Sequence, residues 1–199
     1  RFLDFFSEDG IVPEMLRLWE GQAIPSLAAD DFLFVLGGAQ DTWQEEQHPW
    51  MAAEKDAIRE WVRDRAKPYF GVCLGHQLLC DALGSEIGLA ENPEVGVFEV
   101  SLTDDGKSHK LFAGLAPANR VMQWHWAEAK RAPQGAKVLA TSEKSAIQAV
   151  AIDDHAISTQ FHCEFTPQTM AAWSSLPGYI ASLEKQNGAG AYRNLVTEA

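Results

Sequence analysis

The sequence predicts an α/β fold: one domain in three layers, with a mostly parallel central sheet flanked by helices. Two observations predict it. Short, unbroken apolar runs, Phe32-Leu33-Phe34-Val35-Leu36 and Tyr69-Phe70-Gly71-Val72, each lead into a glycine turn, as strands buried on both faces of a parallel sheet do. Around them the apolar spacing changes to the helical period, so strand, glycine turn and helix alternate along the chain. A length of 199 residues is that of one domain able to bury a core without staples.

The elements follow in order. Phe2, Leu3, Phe5 and Phe6 lie three and four apart and end at Gly10, the pattern of a helix tail with a glycine stop. After the first strand, Trp50, Ala53, Ala57, Ile58, Trp61 and Val62 keep a helical stripe between Pro49 and Lys67. Pro68 closes that helix, and the Tyr69–Val72 strand hands over to a helix from Gly75 to Leu83. Further strands are expected at 95–102, 121–124, 138–141, 146–152 and 156–161, with turns at Asp104-Asp105-Gly106 and Asp153-Asp154-His155. Thr166-Pro167 reads as the cap and first residue of another helix, and the glycines beyond it predict short helices in the tail.

Composition narrows the partners. With 28 acidic and 16 basic side chains the net charge is −12, which argues against nucleic acid or an anionic membrane as a partner. No apolar run is long enough to span a bilayer and no signal peptide is visible, so a cytoplasmic setting is expected. Three cysteines, Cys73, Cys80 and Cys163, neither form a disulfide framework nor match a metal-ligand spacing. No metal or cofactor is expected.

The chemistry concentrates in Gly71-Val72-Cys73-Leu74-Gly75-His76-Gln77. Glycines two residues either side of Cys73 let a strand and a helix approach closely, forcing the cysteine into a tight, exposed turn. There the thiol meets the positive end of the helix, which favours thiolate, and the N–H of Leu74 points where an oxyanion would form. The same pentapeptide also fits a small packed cysteine. A cysteine nucleophile needs a base, and the base an orienting carboxylate. His48, His109 and His155 fall in polar stretches and read as surface groups; His76 reads as helix packing. His125, between two tryptophans, suits either a pocket wall or a core. His162 ends a strand at the edge where parallel strands deliver their C-terminal residues, and Glu164 projects the same way two residues on.

Together, the elbow, the Gly37-Gly38 strand end and Gln160-Phe161-His162-Cys163-Glu164 resemble a class I (triad-type) glutamine amidotransferase domain. The order and spacing match over nearly the whole chain, including Asp41–Lys67 and Met122-Gln123-Trp124-His125. The resemblance implies a flavodoxin-like α/β fold. It makes Cys73 the nucleophile that forms a γ-glutamyl thioester, His162 the base and proton donor, and Glu164 its orienter. Gly38 and Leu74 would supply the oxyanion hole, Gln77 would face bound glutamine, and Trp124-His125-Trp126-Ala127 would hold its α-substituents. The family often carries proline where this chain has Cys163, which strand alternation turns away from the site as a filler; a second redox-sensitive thiol is the other reading. Ala39 replaces a usual proline, and Trp126 stands where many members have glycine, narrowing the pocket or stacking on a longer γ-glutamyl compound. The resemblance also places a strand and loop before the first helix, so residues upstream of Arg1 are expected.

The leading functional expectation is hydrolysis of the glutamine amide, with ammonia passing to an acceptor. The sequence has no G-x-x-x-x-G-K-[ST] or Ser-Gly-Gly-x-Asp-Ser phosphate loop, so a separate synthetase subunit would supply the acceptor site, as in GMP synthase-type glutaminases. The alternatives are a γ-glutamyl peptidase and a non-catalytic regulatory subunit on the same scaffold. The presence of Cys73, His162 and Glu164 weighs against the last.

Overall fold

The computed structural model describes residues 1–28, 31–166, 169 and 177–193. Its helices are α1 (Phe2–Glu8), α2 (Trp50–Arg59), α3 (Leu74–Ala82), α4 (Asp104–Ser108) and α5 (Pro177–Asn187). Its strands are β1 (Leu33–Val35), β2 (Tyr69–Val72), β3 (Ile87–Leu102), β4 (Ala118–Ala129), β5 (Ala136–Thr141), β6 (Ala149–Ile152) and β7 (Ala156–Thr159). They form one sheet in the order β1-β2-β7-β6-β5-β3-β4. Of the helix expected from Thr166-Pro167, most residues lie outside those described; Thr166 itself acts as expected of a cap, its Oγ1 accepting the Thr169 N–H at 3.2 Å.

The three layers are present, but the sheet is not mostly parallel. Only β1, β2 and β7 run parallel, with Val35 opposite Gly71 and Gly71 opposite Ser158. The remaining pairs, β7–β6, β6–β5, β5–β3 and β3–β4, are antiparallel. The reason is connection length. Parallel neighbours need a long crossover, which α2 supplies between β1 and β2 and the chain from α3 to β6 supplies between β2 and β7, whereas the three-residue turn Asp153-Asp154-His155 permits only a hairpin. β3 and β4 are also longer than expected, because they pair along almost their full length past a register shift between Leu89 and Glu94.

Strands β6 and β7 are buried at every residue. One set of side chains (Val150, Ile152, Ala156) joins the core beneath α2 and α3 with Met51, Ile58, Trp61, Leu78 and Leu79. The alternate set (Ala149, Ala151, Ile157) joins Phe112, Leu139 and Phe161 on the other face. Helix α1 lies over that face through Phe2, whose ring meets Phe34 edge-on at 4.7 Å. It stops as expected, with Gly10 at φ 71°. The helical stripe after Pro49 widens at Glu60–Asp64 into a π turn and ends at Ala66, φ 48°. Asp104-Asp105-Gly106 is a short helix rather than a turn, because Thr103 Oγ1 caps it by accepting the Gly106 N–H at 3.0 Å. Among the described residues no helix is long and apolar enough to cross a membrane.

Candidate active site

β2 ends at Val72 and α3 begins at Leu74, so Cys73 alone makes the turn, at φ 55° and ψ −105°. A side chain in that region costs about 1–3 kcal/mol of backbone strain. Its surroundings hold it there. The Cys73 N–H donates to Thr159 O at 2.9 Å, and Cys73 O accepts the Gln77 N–H at 3.1 Å. A Cβ on Gly71 would stand 2.7 Å from Gly75 O, and one on Gly75 would collide with the Val35 carbonyl oxygen. The two glycines are thus required by close approach, as the sequence predicts. Tyr69 ties the turn from below, its hydroxyl donating to Gly75 O at 2.8 Å.

His162 follows β7, and its N–H donates to Met122 O on β4 at 2.9 Å. Its Nδ1 lies 2.7 Å from Glu164 Oε1, and with a carboxylate as acceptor the ring nitrogen carries the proton. A Cβ on Gly37 would be 3.4 Å from both Cys73 Cβ and His162 Cε1, so the two side chains stand together against that glycine. Burial pushes the imidazole pKa down. Hydrogen bonds to Cys73 and Glu164, with their negative charges, more than reverse this and raise it to about 10. A cysteine sulfur, an imidazole and a carboxylate gathered in this way can deliver a nucleophile and a proton to one bond.

These side chains border a cavity of about 570 Å³, also lined by Gly38, Gln77 and Trp124–Ala127. Leu74 is the one expected site residue absent from its wall; it packs instead against Gly38, where an added Cβ would meet Leu74 Cδ2 at 2.7 Å. The lining includes the carboxylates of Asp41 and Glu164 and no Lys or Arg among the described residues. Burial raises the pKa of Asp41. A second, apolar cavity of about 700 Å³ shares only His162 with the first and takes in Cys163. Cys163 is therefore not a core filler. It is solvent-accessible in a recess where desolvation, and then the Glu164 charge, push its thiol up to about 11. Cys80 is core, fully buried beside His76. His76 packs as expected: it bonds Ser158 Oγ at 2.8 Å, and burial, followed by the His125 charge, lowers it to about 3. Of the three surface histidines, His155 bonds Val62 O at 3.0 Å and His109 accepts the Leu111 N–H, so both tie down backbone.

Behind the wall its own residue His125 joins two buried side chains, Glu94 and Gln148, that the sequence did not reveal. His125 is 3% exposed and Glu94 1%; His125 Nε2 lies 3.2 Å from Glu94 Oε2, and Nδ1 lies 2.9 Å from Ala127 O. Gln148 Nε2 donates to the same Glu94 oxygen at 2.5 Å, while Gln148 Oε1 accepts from Gln123. Gln77 Nε2 donates to Ala127 O at 3.0 Å and to Gln160 Oε1 at 3.1 Å.

A model of the glutamine amidotransferase class-I family matches residues 15–173. The chain belongs to that family. Class-I amidotransferases are typically glutamine-hydrolysing enzymes. The chain is 37% identical over 106 residues to a glutamine-hydrolyzing GMP synthase subunit of Sulfurisphaera tokodaii, a match taking in 53% of this chain and 55% of that one. It thus spans about half the length of the GMP synthase relatives it matches. It is 22% identical over 172 residues to gamma-glutamyl peptidase 2 of Arabidopsis thaliana, covering 85% of this chain and 68% of the relative. The crystal structure of a glutamine amidotransferase from Thermotoga maritima superposes with a TM-score of 0.87 at 29% identity, covering 99% of this chain and 82% of that one. This class-I amidotransferase therefore has the family's α/β architecture, with the cysteine turn, His162 and Glu164 brought to one cavity.

Proposed function

We propose that this domain hydrolyses the side-chain amide of glutamine through a thioester on Cys73. The observation that supports it is that Cys73, in its strained turn, and a His162 bonded to Glu164 at 2.7 Å stand together against Gly37 at one cavity. In this reading Cys73 Sγ adds to the amide carbon. The carbonyl oxygen becomes an oxyanion received by the backbone N–H groups of Gly38 and Leu74. First-turn amides of a helix have no intrahelical partner, so the Leu74 N–H is available, and each such donor is worth about 3–4 kcal/mol. His162 gives its Nε2 proton to the leaving nitrogen, the C–N bond breaks, and ammonia departs. Water then attacks the thioester with His162 as base, releasing glutamate and restoring Cys73. Glu164 keeps the imidazole oriented and its charge compensated throughout. Gln77 and Trp124–Ala127 form the wall that holds the glutamine α-substituents, and Asp41 and Glu164 favour its ammonium group. The ammonia acceptor in this reading is held by a synthetase unit that works with this domain.

A second reading, a γ-glutamyl peptidase, is favoured by one feature. Trp126 borders the cavity while 37% exposed, leaving a ring face free to stack on a substrate longer than glutamine. Steady-state assays of glutamine beside γ-glutamyl dipeptides separate the two. Turnover of glutamine with release of ammonia supports the first reading, and turnover of dipeptides alone replaces it with the second.

A further inference from the structure

The pair Glu94–His125 is buried and ionisable, it touches no expected reacting atom, and the hydrolytic steps do not use it. Its hydrogen bonds nevertheless constrain the cavity wall. Ala127 O is an acceptor only, so His125 Nδ1 must carry a proton to bond it. Gln148 has committed Oε1 to Gln123, so its Nε2 is a donor and Glu94 Oε2 must accept from it. That leaves one proton shared between Glu94 Oε2 and His125 Nε2, a position that only a carboxyl group fills. The consequence reaches the pocket. With Ala127 O fixed by His125 and Gln160 Oε1 alongside, both hydrogens of Gln77 Nε2 point into the protein, and Gln77 Oε1 is the acceptor left for the cavity.

We infer that Glu94 is a positioning residue for substrate: acting through His125 and Ala127, it sets the orientation of the Gln77 amide so that Oε1 receives an N–H donor of the γ-glutamyl ligand. The inference rests on the hydrolytic reading for the identity of that ligand. Glutamine at position 94 cannot replace the carboxylate. Its NH₂ would face the Gln148 donor. Its carbonyl would face the lone pair of a neutral His125, unless that ring moved its proton from Nδ1 and released Ala127. Aspartate keeps the charge on a shorter stem.

The test compares wild type, Glu94→Gln and Glu94→Asp in a Cys163→Ser background, so that Cys73 is the accessible thiol. Glutamine turnover is measured beside saturable labelling of Cys73 by 6-diazo-5-oxo-L-norleucine and second-order labelling by iodoacetamide, which needs no pocket. In Glu94→Gln the KM and the half-saturating diazoketone concentration rise about tenfold. The kcat and the iodoacetamide rate stay within about twofold, and Glu94→Asp recovers part of the KM. An unchanged KM and half-saturation overturn the inference, as does a fall in iodoacetamide rate parallel to the loss of turnover, which marks a damaged site. A wild type that is labelled saturably but turns over no γ-glutamyl compound overturns the hydrolytic reading alone, and the labelling comparison still decides the role of Glu94. A wild type that the diazoketone does not label saturably overturns both.

Discussion

Gly75 stands so close to Val35 that a methyl group on its Cα would run into the Val35 carbonyl oxygen. That contact joins the first turn of α3 to the end of β1, and it sets how near the elbow lies to the Gly37-Gly38 loop. Backbone cannot yield as a flexible side chain can, so Gly75→Ala is expected to destabilise the domain by about 3 kcal/mol or more. Urea unfolding followed by tryptophan fluorescence measures it. Gly38→Ala meets only the side-chain ends of Leu74 and Gln40, and is expected to cost less stability while lowering kcat.

Strain at Cys73 separates stability from activity. Cys73→Ala removes the nucleophile and is expected to reduce turnover by about 10⁴-fold or more. Cys73→Gly does the same but relieves the positive φ, and is expected to be more stable than the alanine variant by about 1 kcal/mol. Paired melts and glutamine assays check both, and a glycine variant less stable than the alanine one would contradict the strain argument.

The imidazolium of His162 carries a pH signature. Its folded pKa of about 10 lies above the ordinary 6.5, so its contribution to stability is complete below the ordinary value and is lost as pH rises through the folded one. Stability is expected to decline between those limits, and turnover to fall on the alkaline side as the proton donor is lost. Glu164→Gln removes one of the charges holding the proton and is expected to move the alkaline limb to lower pH. Melts and rate profiles from pH 6 to about 10.5 test the sign.

Trp126→Gly opens the cavity rim. If its ring stacks on longer substrates, the variant loses kcat/KM on γ-glutamyl dipeptides by about tenfold while glutamine turnover is held or improved. Equal loss on both substrates would show that the ring only shapes the wall.

The parts of the candidate site that were legible in sequence lie within short stretches of chain. Gly71 answers to Gly75 four residues on, and His162 with Glu164 follow the alternation of an extended segment, whereas Gly75 answers to Val35 on another strand and was legible only through the glycine spacing around Cys73. Strand direction was less legible, because buried strands look alike whichever way they run; only the short Asp153-Asp154-His155 link carried a hint of the hairpin. Cys163 was misplaced because alternation tells which side a residue takes and not whether that side is filled. Glu94 was invisible for another reason. Its partners His125 and Gln148 lie 31 and 54 residues away, and a glutamate beside Pro93 in a polar stretch gives no sign of burial.

β7 and β4 stand at the two ends of the antiparallel half of the sheet, yet the segment after one bonds the middle of the other through His162 and Met122. The sheet curls into a nearly closed hoop whose clasp is in the site. The β3–β4 hairpin carries the Trp124–Ala127 wall of the cavity on the same strand that holds the clasp, so in the proposed reading a tilt of that hairpin reshapes the pocket and shifts His162, the proton donor, in one movement. Any contact that draws the hairpin inward therefore acts on binding and on chemistry together, without touching Cys73.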